Sequence, residues 1–197
     1  MPLPTLVLEP LTELDAVNMM LLSIGQSPVN TLAISNIKDV SFAQLTLHNT
    51  SREVQSRGWW FNRERNYALA PNVDSKVSVP PSTLDIDCED QNEELIQRGA
   101  FIYDMKNHTF TIGRTLKYDV ITFLVFTDLP QTARSYIATR AARIFQSQSV
   151  GSEILYRYDA QLEQEMLGPF ERAHYKNVDT NILATNARTN MIYRRGR

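Results

Sequence analysis

With 197 residues, 43% of them hydrophobic and 21% charged, the chain has the length and composition of one globular domain with a real core and an inserted lobe, which excludes a disordered polymer. Twenty basic residues stand against 22 acidic ones, a formal net charge of −2, so no global field draws the whole chain to nucleic acid. The single cysteine, Cys88, excludes an internal disulfide and fits a reducing compartment.

The opening MPLPTLVLEPL has no basic n-region and is followed by Glu13, which predicts no signal peptide. No apolar run approaches the roughly 20 residues that span a bilayer, so no membrane partner is expected. Thr12-x-x-Asp15 reads as a capping box. Leu14, Val17, Leu21 and Ile24 then form the inner stripe of a first helix, which stops at Gly25. Gln26 to Ser35, with Pro28, is a connector. A second helix is predicted from about Asn36 to Arg57, with Ile37, Val40, Leu47 and Val54 on its buried edge and Gly58 as its end.

The period then changes. Trp59–Phe61 and Tyr67–Leu69 read as short strands, and Pro71, Pro80 and Pro81 punctuate a loop-rich stretch. Six acids and no base fall between Leu84 and Glu94, the pattern of a solvated surface. Arg98–Gly113 has β-favouring runs on both sides of Lys106-Asn107-His108 and reads as a hairpin. Leu116–Phe126 is a further strand whose near-continuous apolar character predicts cover on both faces.

Asp128–Gly151 is the most telling stretch. Asp128 reads as an N-cap, with Pro130 in the first turn. Ala133, Ile137, Ala141 and Ile144 recur at helical spacing and form an apolar face of small residues that lets another helix approach closely. The other faces carry Arg134, Arg140 and Arg143 without an acid. Gly151-Ser152 breaks the chain, and a fourth helix follows with Leu155, Tyr158, Leu162 and Met166 as its inner stripe. Glu153, Asp159, Glu163 and Glu165, with Glu171 just beyond, stand against Arg157 alone before Gly168, so the basic third helix and the acidic fourth attract one another, within one subunit or between two. Gly168-Pro169 is expected to kink or end this helix. From Lys176 the chain reads as an Asn- and Thr-rich tail. Its Ile182, Leu183, Met191, Ile192 and Tyr193 exceed the needs of a spacer, and its four arginines from Arg188 onward meet no acid.

The expected fold class is α+β, mainly α: a four-helix bundle with an antiparallel β lobe between helices two and three. The boundaries are 1–58 for the first two helices, 59–127 for the lobe, 128–175 for the last two helices and 176–197 for the tail, all within one structural domain.

Enzymatic signals are sparse. The seven glycines form no phosphate-binding loop, and His48, His108 and His174 have no metal-ligand spacing, so neither cofactor nor metal is expected. Asp85, Asp87, Glu89 and Asp90 lack the glycine and spacing of a calcium loop. Acids around Cys88 disfavour its thiolate. What remains is the acidic loop beside Trp59 and Trp60, which suit paired-carboxylate glycan hydrolysis with a stacked sugar.

Four blocks, in order, resemble the tail tubular protein A family of short-tailed bacteriophages: ELDAVNMMLLSIGQSPVNTL from Glu13, REVQSRGWWFN from Arg52, RGAFIYDM from Arg98, and Asp128–Gly151. The resemblance covers roughly residues 12 to 170. It departs at Pro169, where the family's last helix runs on, and in the tail.

The resemblance implies a virion protein, assembled in the host cytoplasm, without a catalytic step. It would form a closed ring of about twelve copies below the portal, with the tail nozzle (tail tubular protein B) beneath and the tail fibres at its side. Genomic DNA would pass through the lumen without sequence-specific contact. Interfaces of this kind use aromatic and arginine anchors, and the candidates are Trp59, Trp60, Tyr136, Arg134, Arg140, Arg143, Arg194 and Arg195, with Tyr156 and Tyr158 also available. The arginines are expected to meet acids of a neighbour or of the portal.

Overall fold

The computed structural model describes residues 9–33, 37–90 and 92–185, with side chains described up to residue 178. The described chain is α+β and mainly α, with four α-helices and small antiparallel sheets. Its described residues divide into two compact units, those up to 51 together with those from 126 to 185, and those between 52 and 125.

In the helical unit, α1 (Glu13–Ser23) opens with the capping box the sequence predicts. Thr12 Oγ1 accepts the Asp15 N–H, and the Asp15 carboxylate accepts the Thr12 N–H. The helix closes in a Schellman turn, with Gly25 N–H donating to Leu22 O and Gln26 N–H to Leu21 O. Its buried residues are Ala16, Val17, Met20 and Leu21, a stripe turned slightly from the predicted one, so Leu14 and Ile24 lie half-buried at its margin. The Asn18 amide holds the connector by donating to Val29 O and accepting from Val29 N–H.

Helix α2 (Lys38–Gln55) is shorter at both ends than predicted. It buries Val40, Ala43, Leu47 and Val54, whereas Ile37 precedes it and is exposed.

The predicted cap at Asp128 is displaced. Phe126–Asp128 forms a 3-10 turn, and α3 (Gln131–Ser149) starts after Pro130, which has no side chain to offer as a cap. Along α3, Ala133, Ile137 and Ala141 are buried as expected, and Phe145 packs on Phe42 of α2 with ring centroids 5.3 Å apart.

Helix α4 (Glu153–Thr185) corrects two expectations. It neither ends nor breaks at Gly168-Pro169, and residues 176–185 continue the helix instead of forming a tail. Pro169 lies on the exposed side, where water can satisfy the carbonyl that its missing N–H frees. Once a helix is nucleated, each further residue adds one hydrogen bond, so the Asn- and Thr-rich turns are carried along. Helices α3 and α4 are antiparallel, because Tyr136 meets Phe170, Arg140 meets Glu163, and Arg143 reaches back to Tyr156.

The β unit contains a three-stranded antiparallel sheet in the order β1 (Arg63–Leu69), β5 (Leu116–Thr122), β2 (Thr83–Cys88). A separate hairpin joins β3 (Leu95–Arg98) to β4 (Phe101–Asp104). Its core gathers Val77, Val79, Ile86, Leu95, Ile102, Tyr118 and Val120.

Three predictions change here. Trp59–Phe61 is a turn, not a strand. The predicted 98–113 hairpin contributes only β4 as a strand. Its return side makes isolated bridges, Asp104 with Thr109 and Lys76 with Thr111, and the true partner of β4 is β3. The turn between β3 and β4 is Gly99-Ala100, with Gly99 at φ +64°, the left-handed conformation that a two-residue hairpin loop asks of its first central residue. Strand β5 ends at Thr122 and is central, but its burial alternates, with Tyr118 and Val120 inside.

A polar knot joins the end of α2 to the exit of β5. The buried Asn62 donates through Nδ2 to Gln55 O (2.9 Å) and Thr122 O (3.0 Å), and its Oδ1 accepts the Trp59 N–H. Gln55, also buried, exchanges two hydrogen bonds with the backbone of Leu124. Gly58 sits at the corner at φ +71°, and a Cβ there would lie 2.7 Å from Ile121 Cδ1, so the corner requires glycine twice over.

Candidate functional site

The facing surfaces of α3 and α4 show how this chain handles charge. On α4 the residues that meet α3 side chains, Tyr156, Glu163 and Phe170, recur every seven residues, with the half-buried Ala160, Leu167 and His174 at the matching heptad spacing. Phe170 is fully buried and stacks on Tyr136 of α3, centroids 5.2 Å apart and rings 18° from parallel. One turn before Leu167 the seam holds a carboxylate. Glu163 is only 6% exposed. Its Oε1 accepts from Arg140 Nη1 at 2.7 Å and its Oε2 from Arg143 Nε, while the Tyr136 hydroxyl lies 3.5 Å away. Arg143 also donates to the Tyr156 hydroxyl at 2.9 Å and lies over that ring.

Burial pushes the Glu163 carboxyl up. The hydrogen bonds from Arg143 and Arg140 outweigh it and hold the group below the usual carboxylate range. A carboxylate buried without such partners would cost several kcal/mol, roughly the penalty for an unpaired ion. The clamp therefore fixes the register of the two helices.

Of the inner stripe expected for α4, Met166 is half-buried, whereas Leu155, Tyr158 and Leu162 are exposed. Ile154 (70% exposed), Leu155, Tyr158 (69% exposed) and Leu162 point away from α3. At 100° per residue, Ile154, Tyr158 and Leu162 fall on one side of α4 and Tyr156, Glu163 and Phe170 on the opposite side. The more apolar side is thus the outer one. Glu165 shares it, beside Pro169, and Glu153 pairs with Arg157 at its start.

Two of the sequence candidates are buried within the chain. Tyr136 stacks in the α3–α4 seam. Trp59 is 8% exposed and its indole N–H donates to Val54 O at 2.7 Å, so it offers no face to a sugar. Trp60 is half-buried, edge-on to Phe61. Arg134 donates to the carbonyls of Leu129 (2.8 Å), Leu11 (3.0 Å) and Thr127, tying the 3-10 turn and the segment before α1 to α3. Arg140 and Arg143 meet an acid of their own chain, Glu163, where the sequence reading expects a neighbour's. Arg194 and Arg195 lie outside the described residues. The attraction between a third helix with three arginines and no acid and an acidic fourth helix is legible in the sequence; that Glu163 is the acid that meets Arg140 and Arg143 is not.

Among the described residues, no three His, Cys, Asp or Glu side chains cluster as metal ligands. No described helix is long and apolar enough to cross a membrane. Burial, more than its acidic neighbours, raises the Cys88 thiol above its ordinary value.

An outward apolar helix face backed by a charge-locked seam is the layout of a structural protein rather than of a catalytic cleft. The model of the tail tubular protein family matches residues 14–179, and the chain belongs to that family. It is 26% identical over 166 residues to the tail tubular protein A of Klebsiella phage KP34, a match covering 84% of this chain and 88% of that protein. The chain is a structural protein of a phage tail and a component of the virion.

Proposed function

We propose that this chain is a non-enzymatic adaptor subunit that forms a closed ring of about twelve copies joining the portal to the tail nozzle, with genomic DNA leaving through its lumen. The observation that carries this reading is the outer face of α4. Ile154, Leu155, Tyr158 and Leu162 leave a large apolar surface in water, and a permanent neighbour would cover it. A ring needs two different surfaces on each copy that meet by rotation, and a stripe on one side of one helix is suited to be one of them.

Passage of DNA asks for weak, sequence-independent contact. Arg134 is engaged by carbonyls, and Arg140 and Arg143 by Glu163, so these arginines do not form a gripping phosphate track. The alternative, a tail-associated glycan hydrolase, has no observation in its favour, since Trp59 is buried. The tail nozzle and the tail fibres are the further partners this role requires.

Mass photometry of the chain with cognate portal rings tests the proposal. Recruitment of about twelve copies per portal supports it, and absence of any portal complex at micromolar protein rejects it.

A further inference from the structure

We propose that the basic segment 186–197 of one copy docks on the outer face of α4 of a second copy, with Met191, Ile192 and Tyr193 seated against Ile154, Tyr158 and Leu162 and its arginines beside Glu165. This deepens the ring reading, on which it rests for the copy that receives the segment.

Charge is the first support. The stretch from Arg188 to Arg197 carries four arginines and no acid, and its apolar triplet immediately precedes Arg194-Arg195. The receiving face is an apolar stripe with a carboxylate, Glu165, at its end, and the cations on that side, Arg172 and Lys176, lie about two and three turns further on. An apolar centre with opposite charges at the edge is the usual layout of a specific protein contact.

Reach is the second support, and it determines whose segment docks. Helix α4 continues to Thr185, so Leu162 lies 23 residues back along it, about 34 Å at 1.5 Å per residue. Met191 to Tyr193 lie six to eight residues beyond Thr185. Fully extended, that is at most about 21–28 Å. The apolar triplet therefore does not reach Tyr158 or Ile154 of its own chain, 27 and 31 residues back and about 40 and 46 Å away, and in the proposed contact a second copy supplies it. The contact joins two different surfaces, so it propagates from copy to copy and closes when the rotation allows.

The test places a photo-crosslinking benzoylphenylalanine at position 193 of the full chain. This chain is mixed with an isotopically heavy copy lacking the probe and assembled on portal rings. The expected adducts join the light position 193 to heavy peptides spanning residues 154–165. Adducts confined to the light chain itself, to the neighbour's exposed Met19, Leu22, Phe42 or Leu45, or to the portal alone overturn the proposal, as does the absence of adducts.

A charge exchange gives an independent readout. Glu165→Arg and Arg194→Glu/Arg195→Glu are each expected to weaken copy-to-copy association by about tenfold or more, and their combination to restore most of it. Loss without restoration overturns the contact. Full portal occupancy with adducts elsewhere would sink this contact and leave the ring reading standing. The expected adducts with too few copies to close would do the reverse.

Discussion

Arg143 of α3 and Glu163 of α4 are twenty residues apart in the chain and joined by a charge-assisted hydrogen bond, with Arg140 on the second oxygen of the same carboxylate. Two cations on one buried anion leave a local positive excess. Removing the anion should therefore be costly.

Glu163→Gln is expected to destabilise the chain by about 3 kcal/mol, roughly a 6–12 °C drop in Tm for a protein of this size. The pH dependence follows from the lowered carboxyl. The folded value lies below the ordinary 4.5, so the stabilisation is present above about pH 4.5 and is lost as pH falls through the folded value. Thermal scans from pH 7 to pH 3 should show the gap between the wild type and Glu163→Gln narrowing below about pH 4.5. A constant gap across that range would contradict the pairing.

The two sides of α4 predict opposite outcomes for two truncations. Phe170→Ala removes a ring stacked on Tyr136 and should cost about 3–5 kcal/mol in urea unfolding. Leu162→Ala touches an exposed side chain and should change the isolated chain by about 0.5 kcal/mol or less, while weakening assembly on the portal. Equal destabilisation by both would mean that the seam is misplaced.

That contrast shows where the sequence was legible. Ala133, Ile137 and Ala141 were readable as a buried face because α3 has one apolar side. Helix α4 has two. Periodicity picks the richer one, Leu155, Tyr158 and Leu162, as the inner stripe, since nothing local says which apolar side meets α3. The true seam contains Glu163, which reads as surface until its arginines on another helix are known. The capping box at Thr12 and the corner at Gly58 were legible because their chemistry is local. Strand β3 was missed because Leu95–Arg98 follows an acidic run and its only signal is the Gly99 turn. The continuation of α4 past Pro169 was missed because the penalty for proline depends on whether the freed carbonyl faces water.

Gly58→Ala meets both a left-handed backbone and a contact with Ile121 and should cost about 2–4 kcal/mol. Ile121→Val removes the Cδ1 atom that a Cβ would strike. The double variant should accordingly be less destabilised than the sum of the singles by about 1 kcal/mol. Strict additivity in denaturant unfolding would argue that the contact is not tight.

Asn62→Ala removes one hydrogen bond each from the Thr122 carbonyl, the Trp59 N–H and the Gln55 carbonyl, which keeps the Gly58 N–H, and about 2–4 kcal/mol of stability should go with them. Asn62→Asp keeps the acceptor for Trp59 but turns a carboxylate toward two carbonyls, so at pH 7 it should be no better. An Asp variant as stable as wild type would show that the two donated bonds contribute little.

The most direct test of the account is a cryo-electron microscopy reconstruction of the chain assembled with its portal, at a resolution that shows side chains. The account predicts a closed ring of about twelve copies in which Ile154, Tyr158 and Leu162 of each are covered by a neighbour, while Arg140 and Arg143 remain on their own Glu163. A ring that leaves this face of α4 in solvent, or no ring at all, would contradict it.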